Sequence, residues 1–149
     1  MRGIIPQDGF TLVELMVTII VMAIIAMMAA PLFEDMLVKQ NLNKSTEDLV
    51  SIINQARMKA IIERRQITVK LNSTYTTDTD NQINWMPTGK AKLKTGSDTS
   101  IIFLMSGLVK DATGDTTFEI CNKAAGNKSK IISVSRVGII QSTMVGTCS

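Results

Sequence analysis

The apolar positions of this chain follow three rules in turn. Across residues 10–33 almost every side chain is apolar and Glu14 is the one charge. At 1.5 Å per residue a helix of that length extends roughly 36 Å, enough to cross a hydrocarbon core of about 30 Å. The run therefore predicts a membrane-spanning helix. After it, Leu42, Leu49, Ile53, Ala56 and Ala60 recur on one helical face, while Lys39, Asn43, Glu47, Asp48, Asn54 and Lys59 point elsewhere. The helix is expected to continue to about Arg65, with Arg64 and Arg65 at the end where its dipole favours cations. Pro31 lies inside it and, lacking an amide hydrogen, is expected to kink the helix rather than end it.

From Gln66 the period becomes two. Ile67, Val69 and Leu71 alternate with Thr68 and Lys70, which predicts a half-buried strand. Residues 72–82 are polar and read as an exposed loop. Further strands are expected at 83–86, 90–94, 101–105, 116–121, 130–135 and 137–142, with breaks around Gly89, Gly96, Gly114 and Gly126. A long helix followed by antiparallel strands that cover its apolar stripe is an α+β architecture.

Glu14 demands a partner. A carboxylate facing lipid costs on the order of 3 kcal/mol, and Arg2 is the nearest cation in sequence. Cleavage after Gly9 would create another, an α-amine on Phe10 one helical turn from Glu14. A short polar leader ending at Gly9, then Phe10, Thr11, Leu12, Val13 and Glu14, a long apolar run and Pro31 within it resemble the N-terminus of type IV prepilins and type II secretion pseudopilins. The resemblance implies that a prepilin peptidase cuts after Gly9 and methylates Phe10. It also implies that Glu14 pairs with the N-terminal amine of a neighbouring subunit during assembly. Simpler readings account for less. A secretory signal has an apolar core of about 7 to 15 residues, shorter than this run. A plain single-pass anchor leaves Glu14 and the junction of Gly9 with Phe10 without a reason.

A second resemblance covers most of the remaining chain. Residues 49–60, closing on Gln55, Ala56, Arg57, Met58, Lys59 and Ala60, the stretch from Ile101, Ile102 and Phe103 to Gly107, and the late segment 134–138 are similar to the GspH/FimT group of minor pilins and pseudopilins. The fold this implies is type IV pilin-like, a long helix packed against two small antiparallel sheets. The expected division is a leader at 1–9, a transmembrane and assembly helix at 10–33, and a periplasmic globular domain at 34–149 that includes the second half of the helix. The implied partners are other pilin and minor pilin subunits, the prepilin peptidase and the inner membrane.

Composition narrows this further. The chain has 149 residues, 45% apolar, and a formal net charge of +3. The part beyond the membrane segment suits one compact domain of about 100 residues or slightly more. The leader carries Arg2 against Asp8, a weak signal for a cytoplasmic N-terminus. A cytoplasmic leader also keeps the only two cysteines, Cys121 and Cys148, out of a reducing space. An even count there reads as a disulfide, whose loop of about 27 residues would stabilise the fold by roughly 3.5 kcal/mol in the chain-entropy model. Two free thiols are the alternative, one of them in a tail open to oxidation.

Catalytic chemistry is not expected. There is no histidine, no Cys-x-x-Cys, no glycine-rich phosphate loop and no nucleophile elbow, so neither a cofactor nor a metal is called for. Asp78, Asp80, Asp111 and Asp115 read as turn residues, and a calcium site at Asp78, Asp80 and Asn81 would lack the further ligands and glycine of an EF-hand. Lys90, Lys92 and Lys94 are spaced to share one face of a strand as a basic ridge, to which Lys123, Lys128, Lys130 and Arg136 add charge. Such a stripe can neutralise phosphates; lysines on an edge strand also discourage strand-to-strand association. Some members of the GspH/FimT group bind DNA through arginines flanking a C-terminal glycine, and this chain keeps only Arg136, placed before Gly138. The sequence thus supports two classes of function. One is an assembly subunit, a type IV minor pilin with a type II secretion minor pseudopilin as its variant; the other is an anchored head that binds DNA.

Overall fold

The computed structural model describes residues 10–71, 74 and 76–148. The expected leader and Gly9 lie outside the described residues. One helix, α1 (Leu12–Glu63, 52 residues), is followed by seven strands: β1 (Ile67–Leu71), β2 (Gln82–Trp85), β3 (Lys92–Leu93), β4 (Ser100–Phe103), β5 (Thr116–Cys121), β6 (Ser129–Val134) and β7 (Ile140–Gly146). The chain divides into two units, Met1–Met36 and Leu37–Ser149.

In the first unit the helix opens on an N-cap at Thr11. The amide of Glu14 donates to Thr11 Oγ1 at 3.2 Å, which satisfies one of the four amides a helix start leaves unpaired and sets Glu14 at the third helical position, where its charge complements the dipole. Thr18 directs its hydroxyl to the Leu15 carbonyl at 2.8 Å, so this polar side chain is satisfied within the helix. Pro31 sits inside α1. Every described side chain from Phe10 to Met36 is exposed.

In the second unit the helical stripe is buried as the spacing predicts. Val38, Leu42, Leu49, Ile53, Ala56 and Ala60 form one face, with Ser45 and Thr46 also buried upon it. The Thr46 hydroxyl returns to the Leu42 carbonyl at 2.7 Å, and Ser45 Oγ accepts the amide of Thr88 at 2.8 Å. These bonds let two hydroxyls sit in the core without stranding a polar atom. The helix ends when Arg64 turns into the left-handed region at φ 50°, and the Arg65 amide reaches back to the Ala60 carbonyl at 3.3 Å, a Schellman closure.

Two sheets cover this face. The first has the order β2-β1-β4, the second β3-β5-β6-β7. Ile67, Val69, Trp85, Ile101 and Phe103 from the first join Phe118, Ile120, Ile132 and Val134 from the second in one core with the helix. The expectation of purely antiparallel sheets needs one correction, because β1 and β2 pair in parallel, Thr68 with Gln82 through Leu71 with Trp85. Residues 72–81 are long enough to carry the chain back to the start of β1, where a tight hairpin would have forced the antiparallel direction. Two strand expectations also shift. The segment 90–94 keeps only Lys92–Leu93 as strand, because turns at Gly89 and at Thr95, Gly96 cut it short on both sides. The last strand begins at Ile140 rather than 137, because residues 135–139 close a hairpin loop.

Candidate functional site

The first candidate is the N-terminal part of the helix. Phe10 is 78% exposed, and exposed apolar side chains continue through Leu12, Val13, Leu15, Met16 and onward to Leu37. By length and composition α1 can cross a membrane. Glu14 is the acidic residue of its first turn and is exposed. Thr11 just before the helix is an N-cap signal legible in the sequence beside the assembly role. The two roles are compatible, since the cap uses the backbone amide of Glu14 and leaves its carboxylate free of that bond.

The second candidate lies where two hairpin loops meet the helix. Leu104 N–H donates to the Leu108 carbonyl and Gly107 N–H to the Leu104 carbonyl, both at 2.8 Å. The same bonds recur in the other loop, from Ser135 N–H to Ile139 at 2.9 Å and from Gly138 N–H to Ser135 at 2.8 Å. Both glycines have φ near 80°, 79° at Gly107 and 77° at Gly138, as this loop type requires at its left-handed position. The loops are tied to each other by the Val109 amide donating to the Arg136 carbonyl at 2.9 Å. Arg57 reaches from the helix so that Nε donates to the Gly107 carbonyl at 3.3 Å. Arg57 thus serves as a clasp, which the sequence motif around it does not disclose.

Of the three lysines expected on one strand face, only Lys92 lies within a strand, while Lys92 and Lys94 line one cleft together with Lys123. Lys92 is exposed on β3, Lys90 lies in the preceding turn, and Lys94 follows the strand. Lys94 Nζ is paired with Glu119 Oε2 at 3.0 Å, and the other carboxylate oxygen accepts Ser129 Oγ–H at 2.6 Å. Burial pushes the Glu119 carboxyl up, but the hydrogen bonds from Ser129 and Lys94 and the Lys94 charge together outweigh it and hold the group below its ordinary value. Gly146 of β7 makes room for this pair, since a Cβ there would lie 2.6 Å from Ser129 Oγ. Arg136 is exposed in its hairpin loop, apart from these lysines in sequence and in a different element. Asp78, read from sequence as a turn residue, accepts the Asn84 amide at 2.7 Å.

Cys121 and Cys148 form a disulfide, Cα to Cα 5.8 Å, which joins the end of β5 to the segment after β7. No group of histidine, cysteine, aspartate and glutamate that could hold a metal occurs among the described residues.

Comparisons with known proteins agree with this geometry. Residues 6–30 match the prokaryotic N-terminal methylation motif, and residues 45–138 match the family of the type II transport protein GspH. A fimbrial protein of Pseudomonas aeruginosa is 30% identical over 132 residues, covering 87% of this chain and 79% of that protein. A crystal structure of the type IV minor pilin FimU of Pseudomonas aeruginosa, strain PAO1, shares the fold with a TM-score of 0.54 at 18% identity, over 74% of this chain and 97% of that one. These relatives are structural subunits, and the chain is not an enzyme. A methylation motif on the exposed helix, a GspH match across the helix-and-sheet unit and the pilin fold identify the chain as a member of the GspH family, a type IV minor pilin-like protein of the GspH/FimT group.

Proposed function

We propose that this chain is a minor pilin that takes part in assembly of a type IV pilus through its N-terminal helix. The observation that carries the reading is the coincidence of the methylation motif, residues 6–30, with a helix start whose side chains are all exposed and whose first turn holds Glu14. An apolar surface of that extent needs lipid or neighbouring helices to cover it. In the proposed sequence of events the chain sits in the inner membrane with its globular unit in the periplasm. The prepilin peptidase cuts after Gly9 and methylates Phe10, and the Glu14 carboxylate then meets the terminal amine of an adjacent subunit. The identity to a fimbrial protein supports the pilus over the type II secretion variant. The engagement of Lys94 by Glu119 supports an assembly role over a DNA-binding head, because it removes one charge of the three-lysine set.

The test is incorporation of Glu14→Ala and Glu14→Leu chains into sheared pili. Removing Glu14 leaves the neighbour's terminal amine as an unpaired intramembrane charge at a cost on the order of 3 kcal/mol, so each variant is expected to lower incorporation about 100-fold while the amount of folded chain in the membrane is unchanged. Normal incorporation of both variants would overturn the proposal.

A further inference from the structure

Strand β5 carries opposite charge at its two ends. At Cys121, its last residue, the turn toward β6 brings Lys123, and β3 brings Lys92, which lies opposite Cys121 in the ladder. At Thr116, its first residue, the preceding segment brings Asp111 and Asp115. The strand rises about 3.3 Å per residue, so the two ends stand roughly 17 Å apart. That is about twice the Debye length of roughly 8 Å at physiological salt, and neither set of charges neutralises the other within one copy.

Each end is hollowed into a cleft. At the Cys121 end a cleft of about 500 Å³ is lined by Lys92, Lys94 and Lys123, with the disulfide in its wall. Among the described residues no aspartate or glutamate lines it. Lys94 is paired with Glu119, whereas Lys92 and Lys123 are exposed and have no ion pair among the described residues. At the Thr116 end a cleft of about 410 Å³ is lined by Asp98, Asp111 and Asp115 against one cation, Lys110. The three aspartates are exposed and likewise have no ion pair among the described residues. Arg136, in the hairpin loop tied to Val109, does not line this cleft.

We propose that the two clefts are the halves of one interface, in which the aspartate end of β5 in one copy of this chain seats against the lysine end in a second copy. Asp111 and Asp115 then face Lys92 and Lys123. Charge complementarity selects this partner, because each cleft holds uncompensated charge of the sign the other lacks and the two are similar in size. The contact uses a different surface on each copy, so it is heterologous and leaves one cleft of each kind open at the ends for further copies to join in line. A compact pair of carboxylates suits the lysine cleft better than a nucleic-acid strand does. Only two uncommitted ammonium groups line it, too few to follow a run of phosphates, and it offers no aromatic side chain on which a base could stack. Exposed ion pairs are screened by salt, so the contact is expected to be reversible and to weaken as ionic strength rises. It does not depend on the pilus role proposed above.

The test is the association state of the full chain in detergent micelles, by sedimentation at low salt and rising micromolar concentration. One variant combines Lys92→Glu with Lys123→Glu, the other Asp111→Lys with Asp115→Lys. All four positions are exposed, and the membrane helix is the same in every chain. The wild type is expected to self-associate, and each variant alone to do so at least about tenfold more weakly, with the fluorescence of buried Trp85 unchanged. An equimolar mixture of the two variants is expected to regain association, because the reversed charges match again. Zero-length carbodiimide coupling of heavy-isotope and unlabelled wild-type chains is expected to join Asp111 or Asp115 of one copy to Lys92 or Lys123 of another. A wild type that stays monomeric at low salt would overturn the proposal, whether or not its lysine cleft takes up a single-stranded oligonucleotide. So would association indifferent to both reversals, a mixture that fails to regain it, or a chain that pairs only with an unlike subunit.

Discussion

Replacing Gly138 with alanine strains the junction of the two hairpin loops in two separable ways. The residue has φ 77°, where a Cβ costs roughly 1–2 kcal/mol from backbone sterics alone. The new Cβ would also overlap the Gly107 carbonyl oxygen and lie 3.0 Å from Cδ and Nε of Arg57. Gly107 cannot simply retreat, because its amide is bonded to Leu104 and its carbonyl accepts Arg57 Nε. Breaking that hydrogen bond from a charged donor forfeits roughly 1.5–3 kcal/mol, so the whole substitution is expected to cost about 3–4 kcal/mol. Gly96 supplies the control. It has φ 85°, yet a Cβ there meets nothing within 4 Å, so Gly96→Ala carries the backbone cost of about 1–2 kcal/mol and no more. Urea unfolding of the full chain in detergent micelles reads the difference through Trp85, the single tryptophan, which is 3% exposed. A gap of about 2 kcal/mol corresponds to midpoints separated by about 1–2 M urea. Equal losses at the two glycines would refute the clasp, and leave only backbone handedness to explain the geometry that the two loops share.

Two other perturbations test the second sheet. Glu119 is held below its ordinary value of 4.5, so its contribution is complete above that value and disappears as pH falls through the lower folded one. The urea midpoint is expected to decline below about pH 4.5, and Glu119→Gln to flatten that decline; an unchanged pH profile in the variant counts against the network of Lys94, Glu119 and Ser129. Changing Cys121 and Cys148 together to serine opens a loop with a sequence separation of 27 and is expected to cost roughly 3.5 kcal/mol, measured as the loss of urea stability.

The helix and its two environments are legible in the sequence because hydrophobic period is a strong signal over many turns. Leu42, Leu49, Ile53, Ala56 and Ala60 are all buried, as their spacing predicts, and each is 5% exposed or less. The alternation at Ile67, Val69 and Leu71 locates β1, and the cysteine count anticipates the disulfide. Strand direction is not legible. Nothing in residues 67–85 distinguishes a parallel return from a hairpin, because direction depends on where the intervening loop delivers the chain and not on the strand's own pattern. The helix also ends slightly before Arg65, since Arg64 takes a left-handed conformation that glycine or asparagine would have announced and arginine does not.

The lysines show why alternation alone is an unsafe guide to a binding face. Lys90, Lys92 and Lys94 have the period of a strand, but the strand itself spans only Lys92–Leu93 between Gly89 and Gly96, both at positive φ. Lys94 is drawn to Glu119 on the neighbouring strand, a partner 25 positions away that local spacing cannot reveal. That pair also needs Gly146, because a side chain there would intrude on Ser129 and Glu119. Three segments that look independent in sequence, 92–94, 116–121 and 140–146, therefore constrain one another through a single carboxylate. The same sheet that neutralises a lysine on one edge leaves β7 uncharged and open on the other. The Lys94 charge is thus engaged within the fold, on the strength of a strand pairing that its own sequence neighbours do not announce.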